Sequence, residues 1–207
     1  MLGASKLTLA DGVFLWPRAL DAKVQSDLIA EVFRKIEDAP FYRPVMPGSG
    51  KAFSVEETNF GPLGWISDRD GYRYEPVHPV TRKPWPAIPR ILLDLWDETT
   101  GYAAPPECCL VNLYRGSAKM GLHQDKDEAA LAAPVLSVSL GDDAVFRVGG
   151  TSRKTGTRSI KLASGDVLII GGPARLAYHG IDRVITGTSR LIPGGGRINL
   201  TLRRVNP

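Results

Sequence analysis

The chain has 207 residues, of which 43% are hydrophobic and 23% charged, with a net charge of +4. These proportions exclude a disordered chain and are typical of a globular protein. No run of about 18 apolar residues occurs, so no membrane span is expected, and no apolar signal core opens the chain. Cys108 and Cys109 are adjacent, which excludes a disulfide scaffold. We therefore expect a cytoplasmic monomer with one domain over residues 1–207.

Positive charge is concentrated in the carboxyl-terminal part of the chain. Residues 150–207 contain ten Lys or Arg and two Asp, whereas residues 1–149 contain 16 basic and 20 acidic side chains. A basic region of this kind is typical of proteins that bind a polyanion, most often nucleic acid. Charge alone equally allows a solvated basic face without a partner.

Two segments have the apolar periodicity of amphipathic helices. The first covers residues 19–38 and ends before Pro40, and the second covers residues 87–99 and ends before Gly101. Their apolar stripes consist of Val24, Leu28, Ile29, Val32, Phe33 and Ile36 in the first, and Ile88, Ile91, Leu92, Leu95 and Trp96 in the second.

The segment between these helices, residues 41–86, is rich in proline, glycine and aromatic residues. An irregular segment of this length is uncommon in a compact domain unless it is functional or disordered, and its aromatic content argues against disorder. We interpret it as a lid over a binding site, with room for a short hairpin. The alternative is that its rings simply pack onto the domain.

Short strands separated by glycine-rich turns dominate the rest of the chain. The predicted strands are residues 108–114, 135–140, 144–148, 158–162, 167–170 and 197–204. Such a pattern favours a β-sandwich or barrel over an alternating α/β fold. The domain is thus predicted to consist of an extension with a helix (1–40), the lid (41–86), and a helix followed by the strand-rich core (87–207).

Three side chains in the strand-rich part form a candidate metal site. Residues two apart in an extended segment face the same side, so His123 and Asp125 can converge on one ion. His179 would complete a set of two histidines and one carboxylate, which leaves positions open on an octahedral Fe(II). The tripeptide alone also fits a surface histidine beside an acid.

The last predicted strand separates an apolar face from a polar one. Ile198, Leu200 and Leu202 alternate with Arg197, Asn199, Thr201 and Arg203. If helices cover the apolar face, two arginines face the interior, where they need anions. A short dicarboxylate held at both ends would satisfy them. A solvated edge strand is the alternative.

A second strand fits the same scheme. Asn112 and Tyr114 share one face of the predicted strand 108–114. Both side chains can donate hydrogen bonds to the carboxylate ligand that the arginines require. The alternative is that they only satisfy the backbone.

These residues belong to a series of motifs that runs from residue 63 to residue 203. The motifs are Leu63-Gly-Trp65, Gly71-Tyr72, Lys83-Pro-Trp-Pro86, Asn112-Leu-Tyr114, Leu122-His-Gln-Asp-Lys-Asp127, Ser137-Val-Ser-Leu-Gly141, Tyr178-His-Gly180 and Arg197-Ile-Asn-Leu-Thr-Leu-Arg203. In order and spacing the series resembles the AlkB family of nucleic-acid dealkylating dioxygenases, which depend on Fe(II) and 2-oxoglutarate. The arginine strand and the Leu-His-Gln-Asp-Lys-Asp run are its most distinctive parts.

The resemblance implies a double-stranded β-helix, or jelly-roll, core that is mainly β, with helices packed outside and an aromatic-rich lid. It implies Fe(II) as the metal and 2-oxoglutarate and O2 as cosubstrates. The implied metal ligands are His123, Asp125 and His179. The positions that match 2-oxoglutarate contacts are Asn112, Tyr114, Arg197, Asn199 and Arg203, with Arg197 on the distal carboxylate.

For the substrate, the resemblance implies single-stranded DNA or DNA with a flipped base, with RNA as a further candidate. Trp65 or the ring of His123 would stack on the base, Tyr72 would contact a phosphate, and Asp127 would reach the amino group of the base. The implied reaction is oxidative demethylation of bases such as 1-methyladenine and 3-methylcytosine, which reverses alkylation damage directly.

Two other functions fit the same residues. A dioxygenase of this fold could act on tRNA, protein or a small molecule. A non-enzymatic nucleic-acid-binding module would instead use His123 and Asp125 only structurally, and would leave Arg197 and Arg203 without a purpose.

Overall fold

In the computed structural model, which describes residues 5–207, short strands predominate and two α-helices flank them. The helices are α1 (Ala22–Lys35) and α2 (Arg90–Thr100). The strands in chain order are β1 (Leu7–Ala10), β2 (Val13–Trp16), β3 (Glu56–Phe60), β4 (Gly64–Asp68), β5 (Gly71–Glu75), β6 (Cys108–Tyr114), β7 (Met120–His123), β8 (Val135–Gly141), β9 (Asp143–Val148), β10 (Arg158–Leu162), β11 (Val167–Ile170), β12 (His179–Ile185) and β13 (Arg197–Arg203). The signal-sequence prediction rests partly on residues 1–4, which lie outside the described residues.

The strands form two principal antiparallel sheets and a separate hairpin. The major sheet has the order β1-β2-β11-β8-β13-β6-β3, the minor sheet has the order β10-β9-β12-β7, and β4 pairs with β5. Apolar side chains of both sheets, such as Leu168 and Phe146, meet in one buried cluster between them. This sandwich of antiparallel sheets confirms the predicted jelly-roll fold.

The central strand β13 separates an apolar face from a polar one, as the sequence predicts. Ile198, Leu200 and Leu202 are fully buried in the cluster that also contains Leu28 of α1 and Leu95 of α2. The opposite face of the strand lines a cavity between the sheets. The helices therefore cover the outside of the major sheet, and its polar face turns inward.

Both helices begin three residues later than predicted, for identifiable reasons. The carboxylate of Asp21 accepts a hydrogen bond from the Val24 amide at 2.9 Å and so caps α1. Pro89 precedes α2, and a residue before proline avoids helical dihedral angles, which excludes Ile88 from the helix. The predicted stop of α2 is confirmed, because Gly101 has φ 64° and ends the helix in the left-handed conformation.

The amino-terminal extension predicted for residues 1–40 contains two strands in addition to the predicted helix. The strands are β1 and β2, and β2 pairs with β11 as a full member of the major sheet. The turn between them contains Gly12 at φ 79°, a conformation that glycine adopts without strain.

Residues 41–86, which the sequence predicts to be a lid, contain a hairpin and one strand of the major sheet. The hairpin β4–β5 is present, but β3 is the buried edge strand of the major sheet. Trp85 packs into a small core cluster as the alternative interpretation proposed, whereas Trp65 and Tyr72 line a cavity. Aromatic side chains of this segment therefore occur both in the core and in the lining of a cavity, and the role of the segment as a lid stays a prediction.

Further sequence-based expectations concern the two cysteines, membrane-spanning helices and the number of domains. Cys108 and Cys109 are free and buried. No helix in the described range has the length and apolarity needed to cross a membrane. The assignment of residues 1–207 to a single domain stays a prediction.

The packing of β13 yields a stability prediction. Leu200→Ala should lower the free energy of unfolding by about 2–5 kcal/mol, because it leaves a cavity between the major sheet and the helices. Urea denaturation provides the measurement. The matched control Leu131→Ala removes a side chain that is 39% exposed and should cost less than about 0.5 kcal/mol. Equal losses in the two variants would contradict the assigned packing.

Candidate metal centre

His123, Asp125 and His179 come together between the two sheets. Each offers a ligand atom, and these atoms all lie within 4.8 Å of one another. The pairing of β7 with β12 places His123 opposite His179, and Asp125 follows β7 by two residues. The Nε2 atoms of both imidazoles lie 3.7 Å from the Asp125 carboxylate. The predicted convergence of the three side chains is therefore present.

The backbone fixes the tautomer of both imidazoles. Nδ1 of His123 lies 2.9 Å from the Gly121 carbonyl, and Nδ1 of His179 lies 2.9 Å from the Ala177 carbonyl. A carbonyl only accepts hydrogen bonds, so Nδ1 must carry the proton in each ring. Nε2 is left with a lone pair directed at the common centre, which is the arrangement of a metal-binding histidine.

The carboxylate of Asp125 is buried and ionised, and only one of its two oxygens accepts a hydrogen bond. Burial raises its pKa, but the positive charge of Arg203, followed by the two imidazoles and Arg175, outweighs burial and holds the pKa well below its usual range. Arg203 Nη2 donates to Oδ1 at 2.7 Å, whereas the buried Oδ2 has no hydrogen-bond partner. Such an orphaned oxygen beside two imidazole lone pairs fits a divalent cation.

Burial also keeps the third ligand neutral. It lowers the pKa of His179 to about 4, with a further lowering by His123 and an opposing contribution from Asp125. At neutral pH the imidazole is therefore unprotonated, which is the form that binds a metal.

A network of buried charged side chains surrounds Asp125 and positions its carboxylate. Arg175 donates to the Asp125 backbone carbonyl and, at 3.0 Å, to Glu128. The Tyr74 hydroxyl donates to Glu128 and accepts from Arg203 Nη1 at 3.3 Å. The sequence motifs do not indicate Tyr74, Glu128 or Arg175 as site residues. The signal was weak, because only the position of Glu128 directly after the distinctive acidic run could have suggested a role.

The interior cavity is lined by all five residues that the sequence predicts to bind 2-oxoglutarate. Its lining includes Asn112, Tyr114, Arg197, Asn199 and Arg203, together with the three metal-site residues. The predicted 2-oxoglutarate residues therefore line a single cavity, and the metal-site residues form part of its wall.

The hydrogen-bonding groups of this cavity are only partly satisfied. Arg197 is 1% exposed, and its Nη2 donates to Ser139 at 2.9 Å, but Nε and Nη1 have no partner. No carboxylate in residues 5–207 forms an ion pair with it. The Asn112 side-chain oxygen is also buried without a partner. A buried cation with free donors requires an anion, so the cavity fits an acidic ligand.

A second, outer cavity of about 370 Å³ adjoins the metal site. His123, Asp125 and Arg203 line both cavities. Trp65 and Asp127, which the sequence assigns to the substrate, lie in the outer one. A ligand there would therefore adjoin the metal site without entering the interior cavity.

The predicted substrate residues contact one another in the outer cavity. The rings of Trp65 and Tyr72 stack at 5.4 Å with an angle of 18° between their planes. Trp65 Nε1 donates to Asp127 at 2.9 Å. Tyr72 is 45% exposed at the rim. One face of the indole is thus covered by Tyr72, and one carboxylate oxygen of Asp127 is already engaged.

Comparison with known proteins bears directly on this geometry. Residues 12–203 match the family model described as the 2OG-Fe(II) oxygenase superfamily. An alpha-ketoglutarate-dependent dioxygenase AlkB homolog from Caulobacter vibrioides (strain NA1000 / CB15N) is 56% identical and covers 97% of this chain and 91% of its own length. The alpha-ketoglutarate-dependent dioxygenase AlkB of Escherichia coli (strain K12) is 42% identical, with coverages of 94% and 90%. The chain belongs to the AlkB family of 2OG-Fe(II) dioxygenases.

A solved structure supports the same assignment. The structure of OsALKBH1 matches with a TM-score of 0.83 and 30% identity, over 97% of this chain and 100% of that chain. The AlkB family uses Fe(II), 2-oxoglutarate and O2. The donor set and the acid-binding cavity fit these groups, because the orphaned buried atoms of Asp125, Asn112 and Arg197 are those that a metal and a dicarboxylate would satisfy.

The metal centre of this AlkB-family chain can be tested by thermal unfolding. Anaerobic Fe(II) at about 100 times its Kd should stabilise the wild type by about 2.7 kcal/mol, or roughly 5–10 °C. Asp125→Ala should abolish this shift, because it removes the only charged ligand of the three. The matched control Asp97→Ala, on the exposed side of α2, should retain the shift. An equal shift in all three proteins would rule out the assigned centre.

Proposed function

We propose that this dioxygenase oxidatively demethylates N-methylated bases, such as 1-methyladenine and 3-methylcytosine, in single-stranded DNA or on a flipped-out nucleotide. The observation that carries the proposal is the outer cavity, which joins aromatic and acidic side chains to a direct opening on the metal site. Relatives in the family are named as demethylases of DNA and of tRNA, which supports a nucleic-acid substrate.

In this proposal His123, Asp125 and His179 hold Fe(II). When bound, Fe(II), 2-oxoglutarate and O2 supply the oxidant that hydroxylates the methyl group, after which the hemiaminal releases formaldehyde. The protein's part is to hold the metal at the boundary of the two cavities, so that the cosubstrate and the base approach it from different sides. The charge of Asp125 is in place before the ligands arrive.

Five polar side chains of the interior cavity are proposed to bind 2-oxoglutarate. The free donors of Arg197 would hold its distal carboxylate, beside Tyr114, whose ring lies 5.6 Å from the guanidinium. Asn112, Asn199 and Arg203 would hold the end nearest the metal. Burial strengthens these contacts, because water does not compete for the donors.

The outer cavity is proposed to receive the base. A methylated base that carries a positive charge is attracted to aromatic faces and to carboxylates. Trp65 and His123 offer the ring surfaces, Asp127 offers an acceptor, and Tyr72 stands at the rim, where a phosphate would pass. A base inside a duplex cannot reach this depth, so it must be flipped or already single-stranded.

Basic residues near the opening would attract the nucleic-acid backbone. Lys126 and Arg153 line the outer cavity, and Arg153 lies over the ring of Tyr178 at 4.9 Å. The attraction between these side chains and the phosphates would make binding sensitive to salt.

We propose that the protein works as a cytoplasmic monomer.

A formaldehyde assay tests the proposed reaction. Oligonucleotides with 1-methyladenine or 3-methylcytosine should release formaldehyde and form succinate in an Fe(II)-dependent manner, and Asp125→Ala should reduce both by at least about 100-fold. Methylated RNA and free methylated nucleosides serve as parallel substrates. Release from RNA or nucleosides without release from DNA would replace the proposed substrate, and succinate formation without formaldehyde from any of them would point to a protein or small-molecule substrate.

The cosubstrate assignment has its own test. Arg197→Lys keeps the positive charge but loses the planar, bidentate geometry, so the KM for 2-oxoglutarate should rise at least about tenfold. The Fe(II)-induced thermal shift should stay as in the wild type, which separates cosubstrate binding from metal binding. The control Arg183→Lys changes a solvent-exposed arginine and should leave the KM unchanged. An unchanged KM in Arg197→Lys would refute this role.

A further inference from the structure

A buried carboxyl group without a partner lies in the outer cavity. Glu57 occupies the second position of the edge strand β3 and is 0% exposed. Neither of its side-chain oxygens has a hydrogen-bond partner. Because buried polar groups are almost always hydrogen-bonded, this side chain requires an explanation.

The strand register aims Glu57 at the functional site. Glu57 lies directly opposite Asn112 of β6, and Asn112 in turn lies opposite Asn199 of β13. Residues paired in this way project from the same face of a sheet, so Glu57 extends the polar row that lines the interior cavity. Its side chain lines the outer cavity beside Trp65 and His123.

No cation of the described residues neutralises Glu57. The charge of Arg203 is close enough to act on it, but Arg203 donates its hydrogen bonds to Asp125 and Tyr74 instead. The phenol of Tyr42 is near enough to be influenced by Glu57, yet its hydroxyl also lacks a partner. Both oxygens of the carboxyl group therefore keep their hydrogen-bonding capacity unused within the described residues.

Asp127, another acidic residue of the outer cavity, differs from Glu57 in exposure and in hydrogen bonding. It is exposed, and it accepts a hydrogen bond from Trp65 Nε1. Asp125 is directed at the metal site and at Arg203. Among the described acids of the outer cavity, Glu57 is thus the buried one with both oxygens uncommitted.

We propose that Glu57 is a specificity-determining residue, whose carboxylate accepts a hydrogen bond from the amino group of a cationic methylated base in the outer cavity. This inference rests on the proposed function and adds a selection rule to it. A base with a carbonyl in place of that amino group offers no donor and no positive charge, so it is bound less well.

The protonation of Glu57 is consistent with such a role. Burial raises the pKa of the carboxyl to about 8, against a smaller lowering by Arg203. At neutral pH the Glu57 carboxyl of the ligand-free protein is therefore mostly protonated, so the cavity does not contain an unpaired negative charge. A cationic base favours the ionised form, and the proton is released to solvent.

The test compares two bases that differ in one substituent. 3-Methylcytosine carries an amino group at C4 and is cationic, whereas 3-methyluracil carries a carbonyl there and is neutral. The wild type should have the higher kcat/KM with 3-methylcytosine in a single-stranded oligonucleotide. Glu57→Gln should lower the ratio of the two kcat/KM values about tenfold or more, the loss expected for one charge-assisted hydrogen bond.

The neighbouring acid supplies a matched control. Glu56 precedes Glu57 on the same strand, faces the other way, and lies 3.6 Å from the surface residue Arg43. Glu56→Gln should keep the wild-type ratio. An unchanged ratio in Glu57→Gln, or an equal change in Glu56→Gln, would overturn the proposal.

A binding measurement separates this proposal from the proposed function. The affinities of the two oligonucleotides are measured without O2, with Fe(II) and 2-oxoglutarate present, so that no turnover occurs. A fall in the affinity ratio in Glu57→Gln would support the role of Glu57 even if no formaldehyde is ever released, in which case only the reaction assignment fails. A constant affinity ratio together with a constant kcat/KM ratio would refute the role while demethylation itself stands.

A purely structural role makes a different prediction. If Glu57 served only to bridge to Tyr42, then Glu57→Leu and Tyr42→Phe would lower the Tm similarly and leave the substrate ratio unchanged. Under the proposal Glu57→Leu should leave the Tm unchanged or raise it, because it removes a buried polar group that has no partner. It should also lose the preference for 3-methylcytosine, as Glu57→Gln does.

Discussion

The buried contact between Asp125 and Arg203 is the interaction on which the site depends. Asp125 belongs to the metal centre, and Arg203 ends the central strand of the major sheet. Their hydrogen bond of 2.7 Å joins the two sheets across the cavity, and the charge of Arg203 lowers the pKa of the carboxylate against the opposite effect of burial. It leaves one oxygen of Asp125 free for the metal. A single ion pair thus sets the charge, the position and the orientation of the ligand.

Charge balance explains why so many ions can be buried together. Taking an isolated charge out of water costs far more than one hydrogen bond returns, so buried ions must come in compensating sets. Asp125 and Glu128 are matched by Arg175 and Arg203 in one connected network. Fe(II) and the dianion of 2-oxoglutarate bring equal and opposite charges, so loading the site preserves this balance. The remaining cation, Arg197, lies where the distal carboxylate is proposed to bind.

The same network connects the site with the hairpin above it. Tyr74 of β5 contacts both Glu128 and Arg203, while Trp65 of β4 contacts Asp127. The hairpin that borders the outer cavity is therefore connected to the metal centre by two partly buried hydrogen bonds of Tyr74 and one exposed hydrogen bond of Trp65. A base stacked there would be positioned by the groups that also hold the metal ligand, which is the kind of preorganisation that catalysis requires.

The sequence predicted the residues that carry strong local signals. The alternation along residues 197–203 indicated which face of β13 meets the helices, and the arginines on the other face indicated an acidic ligand. The spacing of His123 and Asp125 indicated their convergence. In each case the pattern within one segment was sufficient, because the period of a strand is fixed.

The residues that the sequence did not predict depend on pairing between distant segments. Strand β3 lacks an apolar alternation, since both Glu57 and Thr58 are buried. Glu57 lies at the outer cavity, and the Thr58 hydroxyl on the opposite face donates to the Ala39 carbonyl. Strands β1 and β2 are connected by a turn at Asp11-Gly12, a typical hairpin signal, but their place in the major sheet depends on the pairing of β2 with the distant strand β11. The network of Tyr74, Glu128 and Arg175 arises only once three segments meet, so no single segment could indicate it.

We propose that Asp125, held by Arg203, provides one oxygen to a metal shared with the two imidazoles. The most direct measurement is an anaerobic crystal structure with Fe(II) and 2-oxoglutarate, in which the anomalous scattering of iron locates the metal. We expect iron about 2 Å from Nε2 of His123, Nε2 of His179 and Oδ2 of Asp125, with Oδ1 still hydrogen-bonded to Arg203. Iron bound elsewhere, or bound to an Asp125 carboxylate that has left Arg203, would contradict it.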